Sequence, residues 1–232
     1  MTQRPAAILY SGGVGHPFAE TTPVLAGYAQ EGGWKTRIET RLEAMLVGLQ
    51  TADLLIVNAL YWSMTQDEKY APLRDRWGVR LGDDQFARLD GFVAGGGRLL
   101  VIHTGTICWD TQPGWREIMG GGWEWGRSHH PPYGPVHVTL TEAGREISGG
   151  APAFDLVDEA YHALSPAPDC TILATCDLGQ GEQPLAWLRA YGQGQVAVDA
   201  LGHDVASLTQ PGHRALVRGQ LDWLADRAGE GE

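Results

Sequence analysis

Short apolar runs separated by polar, glycine-rich turns dominate the first half of the chain. The runs that we predict as buried strands are Ala6–Tyr10, Trp34–Glu39, Asp53–Asn58 and Leu99–Ile102. The segments between them space their apolar residues as helices do, and we predict helices over Ala19–Glu31, Leu42–Leu49 and Asp83–Ala94. Asp83 or Asp84 is expected as the N-cap of the last helix and Gly95 as its C-cap. Strands and helices that alternate in this way indicate a doubly wound parallel sheet.

The second half of the chain is richer in strand-like segments. These predicted strands are Val136–Leu140, Thr171–Thr175, Leu185–Arg189 and Gln195–Leu201. An amphipathic helix is expected over Ser207–Asp226, and the polar, aromatic stretch Tyr61–Gly82 is expected to be a long irregular surface loop. Because neither a repeat nor a linker interrupts the pattern, residues 1–232 are predicted to form a single α/β domain.

Composition narrows the class of protein. A chain of 232 residues with 43% apolar content is long enough to bury one sizeable core. Its formal net charge is −11, and the sequence has no basic patch that could neutralise phosphates. We therefore expect that the protein does not bind nucleic acid. No apolar run approaches the length of a membrane span, and the first residues do not read as a signal peptide. The 3 cysteines lack CxxC spacing and favour a reducing compartment, so we expect a cytoplasmic location.

Histidines follow three of the predicted strands at the point where each strand ends. His16 follows the first strand, His103 follows the strand Leu99–Ile102 within the segment GGGRLLVIHTGT, and His203 follows the strand Gln195–Leu201. The carboxyl ends of parallel strands share one edge of a sheet, where open α/β folds place their ligands. The three side chains are therefore expected to converge there.

Neutral histidines combined with a carboxylate are suited to a borderline divalent metal ion. We therefore consider a zinc or manganese site formed by His16, His103 and His203, with Glu159 and the pair His129-His130 as further candidates. No two of these residues have HExxH spacing, and any single histidine is more often a packing or surface residue.

Proton transfer is the second chemistry that these residues suggest. His103 and Glu159 are the candidate catalytic acid and base. Neighbouring residues of a strand face opposite ways, and Glu159 is preferred to Asp158 because it would share a face with Tyr161. Aromatic rings on polar loops favour the apolar faces of sugar rings. The residues expected to bind such a substrate are Tyr61, Trp109, Trp125 and Tyr161.

Two further kinds of site fit the sequence less well. The loop SGGVGHP resembles a phosphate cradle, but it matches neither GxGxxG nor the P-loop, so we expect no bound nucleotide. Cys108 lies five residues beyond His103, past the turn where an α/β nucleophile would stand. A cysteine-dependent amidotransferase or peptidase relative is therefore a disfavoured alternative.

A series of short motifs carries a resemblance to a known family. They are Ser11-Gly12-Gly13 with His16-Pro17, GGGRLLVIHTGT, Gly120-Gly121-Gly122 before His129-His130-Pro131, Asp158-Glu159-Ala160-Tyr161, Pro184-Leu185-Ala186-Trp187, Tyr191-Gly192-Gln193-Gly194 and Leu201-Gly202-His203-Asp204. In their order and spacing they resemble the ThuA-like, trehalose-utilisation family over nearly the whole chain.

The resemblance implies a fold like that of the class I glutamine amidotransferases. This is a flavodoxin-like three-layer α/β/α sandwich with a mainly parallel, doubly wound sheet. His103 stands where the amidotransferase cysteine would be, so the resemblance does not extend to that Cys–His–Glu chemistry. It implies a role in the catabolism of trehalose or a related disaccharide, including oxidised 3-keto sugars.

We therefore expect a carbohydrate-processing hydrolase or lyase that acts on a disaccharide or keto-sugar derivative by acid–base or metal-assisted chemistry. The alternative is a non-catalytic sugar-binding or regulatory domain on an amidotransferase-like scaffold. The expected partner is a small carbohydrate. The exposed edges and tryptophan-rich loops are compatible with a homodimer.

Overall fold

A nine-stranded mixed sheet forms the centre of the molecule in the computed structural model, which describes residues 5–226. Its strands are β1 (Ala6–Gly13), β2 (Lys35–Glu39), β3 (Leu54–Leu60), β4 (Arg98–Ile102), β5 (Gly134–Leu140), β6 (Phe154–Asp158), β7 (Thr171–Asp177), β8 (Glu182–Tyr191) and β9 (Gly194–Asp199). They lie side by side in the order β2-β1-β3-β4-β9-β8-β7-β5-β6.

The first part of this order, from β2 to β9, is parallel. Every residue of β3 is buried, and so are Leu99–Ile102 of β4, as expected of strands covered on both faces. The chain runs outward from β1 to β2, then returns to β3 on the other side of β1. The doubly wound parallel arrangement predicted from the first half of the sequence is therefore present in this part of the sheet.

The second part of the sheet corrects the expectation of a mainly parallel architecture. The pairings β9–β8, β8–β7, β7–β5 and β5–β6 are antiparallel, so four of the eight pairings are of each kind. β8 and β9 are joined by a tight turn at Gly192, which has a φ of +59°. A turn this short imposes antiparallel pairing, because parallel strands need a long crossover.

Helices cover both faces of the sheet. They are α1 (Phe18–Glu31), α2 (Leu42–Gly48), α3 (Ala71–Trp77), α4 (Asp83–Ala94), α5 (Pro113–Met119), α6 (Glu142–Ile147), α7 (Val205–Thr209) and α8 (Pro211–Ala225). One hydrophobic cluster joins α1, α6, α7 and α8 to one face, and a second joins α2, α4 and α5 to the other. The result is an α/β/α arrangement of three layers.

Several boundaries differ from those predicted. Tyr61–Gly82 is not wholly irregular, because it contains α3. The predicted terminal helix is split into α7 and α8 at Gln210, the residue before Pro211. A residue before proline avoids helical backbone angles, which accounts for the break.

The end caps of α4 agree with the sequence at one end only. Gly95 is its C-cap, but Gly82, rather than Asp83 or Asp84, is its N-cap. The Gln85 side chain accepts the hydrogen bond of the Gly82 amide at 2.9 Å.

Among residues 5–226, no helix is both long enough and apolar enough to cross a lipid bilayer.

Candidate functional site

The three histidines predicted at strand ends meet at the carboxyl edge of the parallel part of the sheet. The ring centroid of His16 lies 5.1 Å from that of His103 and 4.6 Å from that of His203. His103 and His203 are 5.6 Å apart by the same measure. β1, β4 and β9 end at this edge, so the fold itself brings the rings together.

His16 lies in the turn that follows β1, directly before α1. Gly13 pairs with Leu60 of β3, and its φ is +121°. A Cβ at this position would lie 2.3 Å from the Leu60 carbonyl oxygen, so glycine is required. Gly13 therefore allows β1 and β3 to stay paired up to the end of both strands, next to the turn that carries His16.

His103 occupies a strained turn directly after β4. Its φ is +48°, which is uncommon for a residue with a side chain. Gly105 lies against the floor of this turn, where a Cβ would be 2.8 Å from the Val57 carbonyl oxygen. The strand, the left-handed residue and the close glycine form an elbow that fixes the His103 ring at the edge of the sheet.

The hydrogen bonds of His103 settle which ring nitrogen carries a proton. Nδ1 lies 2.9 Å from the Ala200 carbonyl oxygen, which can only accept, so Nδ1 is the donor. In the neutral ring, Nε2 accepts the Tyr161 hydroxyl at 3.2 Å. The Tyr161 ring also stacks on the imidazole, with centroids 4.6 Å apart.

Glu159 stands at the centre of the cluster and faces four histidines. Its carboxylate oxygens lie 3.7 Å from Nε2 of His16 and of His103, and 3.8 Å from Nδ1 of His130 and Nε2 of His203. Asp158 is buried and approaches only His103 of these four histidines, with its Oδ1 3.9 Å from Nδ1 on the opposite side of that ring from Glu159. Glu159 is therefore the carboxylate that faces all four histidines, whereas Asp158 contacts only His103 among them.

The arrangement within this cluster suggests which residues could hold a metal ion. One ligand atom from each of His16, Glu159 and His203 lies within 4.8 Å of the others. Within residues 5–226, neither ring nitrogen of His16 has a hydrogen-bond partner, nor does Nδ1 of His203. Both nitrogens of His103 are engaged, so the group differs from the predicted His16–His103–His203 set by having Glu159 in place of His103.

The charges in the cluster shift several pKa values. Burial raises the pKa of Glu159, but the imidazoles of His103 and His16 beside it outweigh this effect, and the net pKa is lowered. Burial lowers the pKa of His103, but Glu159 and Asp158 reverse this, and the net pKa is raised. Burial and the neighbouring His103 and His16 lower the pKa of His203. Burial, followed by Glu159, raises the pKa of Tyr161 well above its usual value.

Aromatic side chains form the wall of the cluster towards solvent. The Tyr133 ring lies 4.6 Å from the His203 ring, and its hydroxyl donates to Asp204 at 2.6 Å. Trp123 lies 5.1 Å from Tyr161 and 6.0 Å from His130 by centroid. Tyr133 is 43% exposed, so an aromatic face remains open to a ligand at this point.

The other aromatic residues predicted to bind substrate lie farther from the histidines. Trp125 packs on Trp62 and Trp123 beside a cavity of about 230 Å³. Trp109 is fully buried between Tyr10 and Trp115, and Tyr61 also packs on Tyr10. These contacts make Trp109 and Tyr61 part of the packing behind the site.

The pair His129-His130 is divided by the structure. His130 faces Glu159, whereas His129 forms a bridge with His162 and hydrogen-bonds to Gln180 at 3.2 Å. Tyr133 was not in the predicted substrate-binding set; it stands among prolines and glycine in a segment without periodicity, and being an aromatic residue on a polar loop was its only signal in the sequence.

Comparisons with known proteins agree on the fold. The crystal structure of a ThuA-like protein from Parabacteroides merdae is similar, with a TM-score of 0.74, 15% identity, and coverage of 99% of this chain and 93% of that one. A ThuA-like protein from Bacteroides uniformis gives a TM-score of 0.72 and 13% identity, covering 97% and 93% of the two chains. A β-galactosidase from Rahnella sp. R3 gives a TM-score of 0.61 and 17% identity; the match covers 98% of this chain but 32% of that one.

The search of curated proteins finds no match. The family model described as "ThuA: Trehalose utilisation" matches residues 6–224, which confirms the resemblance stated from the motifs. The chain belongs to the ThuA, trehalose-utilisation family.

Proposed function

We propose that this ThuA-family protein is a carbohydrate-processing hydrolase or lyase that acts on a disaccharide or keto-sugar derivative. Its site would hold a divalent ion, zinc or manganese, through His16, His203 and Glu159. The observation that carries the proposal is the position of Glu159, within 3.8 Å of four histidines, two of which have ring nitrogens without a partner in residues 5–226.

The donor set fits such an ion. Two imidazoles and one carboxylate are a known ligand combination of catalytic zinc, which keeps a further position open. When bound, a divalent ion supplies Lewis acidity to a carbonyl or hydroxyl oxygen of the sugar. One ligand atom from each of His16, Glu159 and His203 already lies within 4.8 Å of the others. These atoms therefore need little rearrangement to face one point.

His103 is the residue proposed to move a proton. The Ala200 carbonyl fixes the proton on Nδ1, and Nε2 faces the cluster with Tyr161 beside it. In a lyase, Nε2 takes the proton next to the sugar carbonyl, and the leaving oxygen receives a proton from the solvent side, where His130 stands. In a hydrolase, Nε2 takes the proton of the attacking water and returns it to the leaving oxygen.

Tyr161 and the aromatic wall supply orientation. Because its pKa is well above neutrality, the Tyr161 hydroxyl stays protonated and donates to Nε2 or to a substrate oxygen. Trp123 and Tyr133 offer aromatic faces to the apolar side of a sugar ring. We assign Trp125 to a more distant part of the same wall.

The metal content of protein purified without chelators tests the first part of the proposal. We expect stoichiometric zinc or manganese in the wild type and its loss in His16→Ala and His203→Ala. His137→Ala is the matched control, because His137 is an exposed histidine of β5 that pairs with Asp155 and lies outside the cluster around Glu159. Metal-free wild-type protein that binds a sugar unchanged would support the non-catalytic sugar-binding alternative.

Turnover tests the second part. The substrates are trehalose and its 3-keto derivative, with product release followed before and after chelation and after metal is restored. We expect chelation to abolish turnover and His103→Ala to lower kcat by about 10²- to 10⁴-fold, the range of a general acid–base residue. Because His103 is buried and hydrogen-bonded, kcat is measured per folded molecule, and an unchanged kcat in folded His103→Ala would instead make His103 a packing residue.

A further inference from the structure

Asp158 is a buried carboxylate that accepts four hydrogen bonds, three of them from backbone amides at Glu159 and His203 or next to them. Its Oδ1 accepts the Glu159 amide at 2.7 Å. Its Oδ2 accepts the amides of Gly202 at 2.9 Å and His203 at 3.3 Å, together with the Ser207 hydroxyl. One side chain therefore holds the backbone at both Glu159 and His203.

The sheet does not determine this relation between Glu159 and His203. Glu159 follows the edge strand β6, whereas His203 follows β9, four strands away in the order of the sheet. No strand pairing joins the two ends directly among the nine strands described. The relative position of the two side chains thus depends on the contacts of Asp158.

The turn from Asp199 to His203 is held by a second buried carboxylate. Asp199 accepts the Leu201 amide at 3.1 Å, and Ala200 in the same turn accepts Nδ1–H of His103. A shift of this turn would therefore move His203 and remove the partner of His103 at the same time.

Ser207 and His213 connect the two carboxylates. The Ser207 hydroxyl donates to Asp158 and lies 3.2 Å from Nδ1 of His213. Nδ1 donates to the Ser207 carbonyl at 2.9 Å, and Nε2 lies 3.4 Å from Asp199. Asp158, Asp199, Ser207 and His213 are all at most 1% exposed. A continuous buried chain of polar groups thus runs behind the site and reaches it at Asp158, whose Oδ1 lies 3.9 Å from Nδ1 of His103.

We propose that Asp158 is a positioning residue, supported by Ser207, that sets His203 and Glu159 in the geometry needed for metal binding. The proposal rests on the metal centre proposed above. Groups that orient metal ligands from behind affect metal affinity strongly. A role limited to stability would not require a charge here, because burying a carboxylate is costly and neutral groups can close a turn.

The metal affinities of Ser207→Ala and Asp158→Asn test the proposal. Ser207→Ala removes the hydroxyl that donates to Asp158 and keeps the carboxylate. Asp158→Asn replaces one carboxylate oxygen by an NH₂ group, which then faces the amide of Glu159 or those of Gly202 and His203 and cannot accept their hydrogen bonds. We expect the affinity for Zn²⁺ to fall by about 10- to 100-fold in each variant. The spectrum of the Co²⁺-substituted protein should change as well, because the positions of the ligands change.

Thr141→Ala is the matched control. Thr141 caps α6 through a hydrogen bond from the Gly144 amide and also donates to the Ile172 carbonyl, away from the site. Its loss should destabilise the fold without changing Zn²⁺ affinity. Wild-type affinity in folded Ser207→Ala and Asp158→Asn, or an equal loss in Thr141→Ala, would overturn the proposal.

Amide hydrogen exchange separates this proposal from that of the metal centre. Even in protein that binds no metal, Ser207→Ala should accelerate exchange at Gly202 and His203 by tenfold or more, while Thr141→Ala should not. Absence of metal in the wild type with accelerated exchange would refute the metal centre and retain the positioning role. Unchanged exchange would refute the positioning role itself.

Discussion

Single residues show what the sequence predicts well and what it leaves open. His16, His103 and His203 were expected at strand ends, and their rings meet there because the parallel strands share an edge. The sequence does not separate His130 from His129, because neighbouring residues in an irregular loop have no fixed facing. Trp109 was expected to bind substrate, but its side chain is fully buried in the core, a position that the sequence around it does not reveal.

Cys108 provides a test at this scale. Burial raises the pKa of its thiol to about 12, and its Sγ donates to the Ala59 carbonyl at 3.2 Å. We expect native protein to be alkylated very slowly at Cys108 at neutral pH, as measured by mass spectrometry with iodoacetamide, because the thiolate is the reactive form. Cys170 is less buried and is the internal comparison. Rapid labelling of Cys108 would revive the cysteine-dependent alternative.

Secondary-structure elements were predictable where hydrophobic periodicity is strong. α4 has the predicted bounds, and the strands of the parallel half lie within a few residues of those expected. α3 was missed because none of its residues is buried, so it has no apolar stripe. β6 was missed because its inward positions are Phe154, Leu156 and the polar Asp158. The same buried aspartate that hides the strand from a hydrophobic pattern also holds the site.

The contact between α8 and β9 predicts a pH dependence. Burial lowers the pKa of His213, but the charge of Asp199 reverses this, and the net pKa is raised. A raised pKa stabilises the fold below the unfolded value of about 6.5, and this stabilisation is lost as pH rises through the folded pKa. Asp199→Asn should therefore lower the free energy of unfolding by about 3–5 kcal/mol at about pH 6 and by less at about pH 9. Denaturant unfolding at the two pH values measures this difference.

Asp155→Asn is the control for this experiment. Asp155 pairs with His137 through the same chemistry, but both side chains are exposed. Because solvent screens an exposed pair, its removal should lower the free energy of unfolding by only about 0–1 kcal/mol. If the loss of unfolding free energy in Asp199→Asn increased with pH, it would contradict the stabilising pair of protonated His213 with Asp199.

For the whole molecule, the family and the three-layer arrangement follow from the order of the motifs, whereas the division of the sheet into parallel and antiparallel parts does not. β7, β8 and β9 are apolar runs in either case, and only the short turn at Gly192 reports that β8 and β9 are antiparallel. Pairings far apart in the chain leave no local signal, so the edge position of β6 was not predictable either.

Metal binding should stabilise the molecule as a unit, because its proposed ligands come from three segments far apart in sequence. At a free Zn²⁺ concentration 100 times the Kd, the stabilisation is about 2.7 kcal/mol. For a chain of this size, that corresponds to a rise in Tm of roughly 5–10 °C. Calorimetry should show this rise in the wild type and lose it in His16→Ala. An equal rise in His16→Ala would place the ion elsewhere.

The central position of β9 has a consequence for biosynthesis. β9 lies between β4 and β8, yet it is the ninth of the nine described strands in chain order. During synthesis, the edge of β4 therefore stays unpaired until β9, which ends at Asp199, has left the ribosome. The elbow at His103 lacks its Ala200 partner for the same period, so the site is completed only when most of the chain has been synthesised.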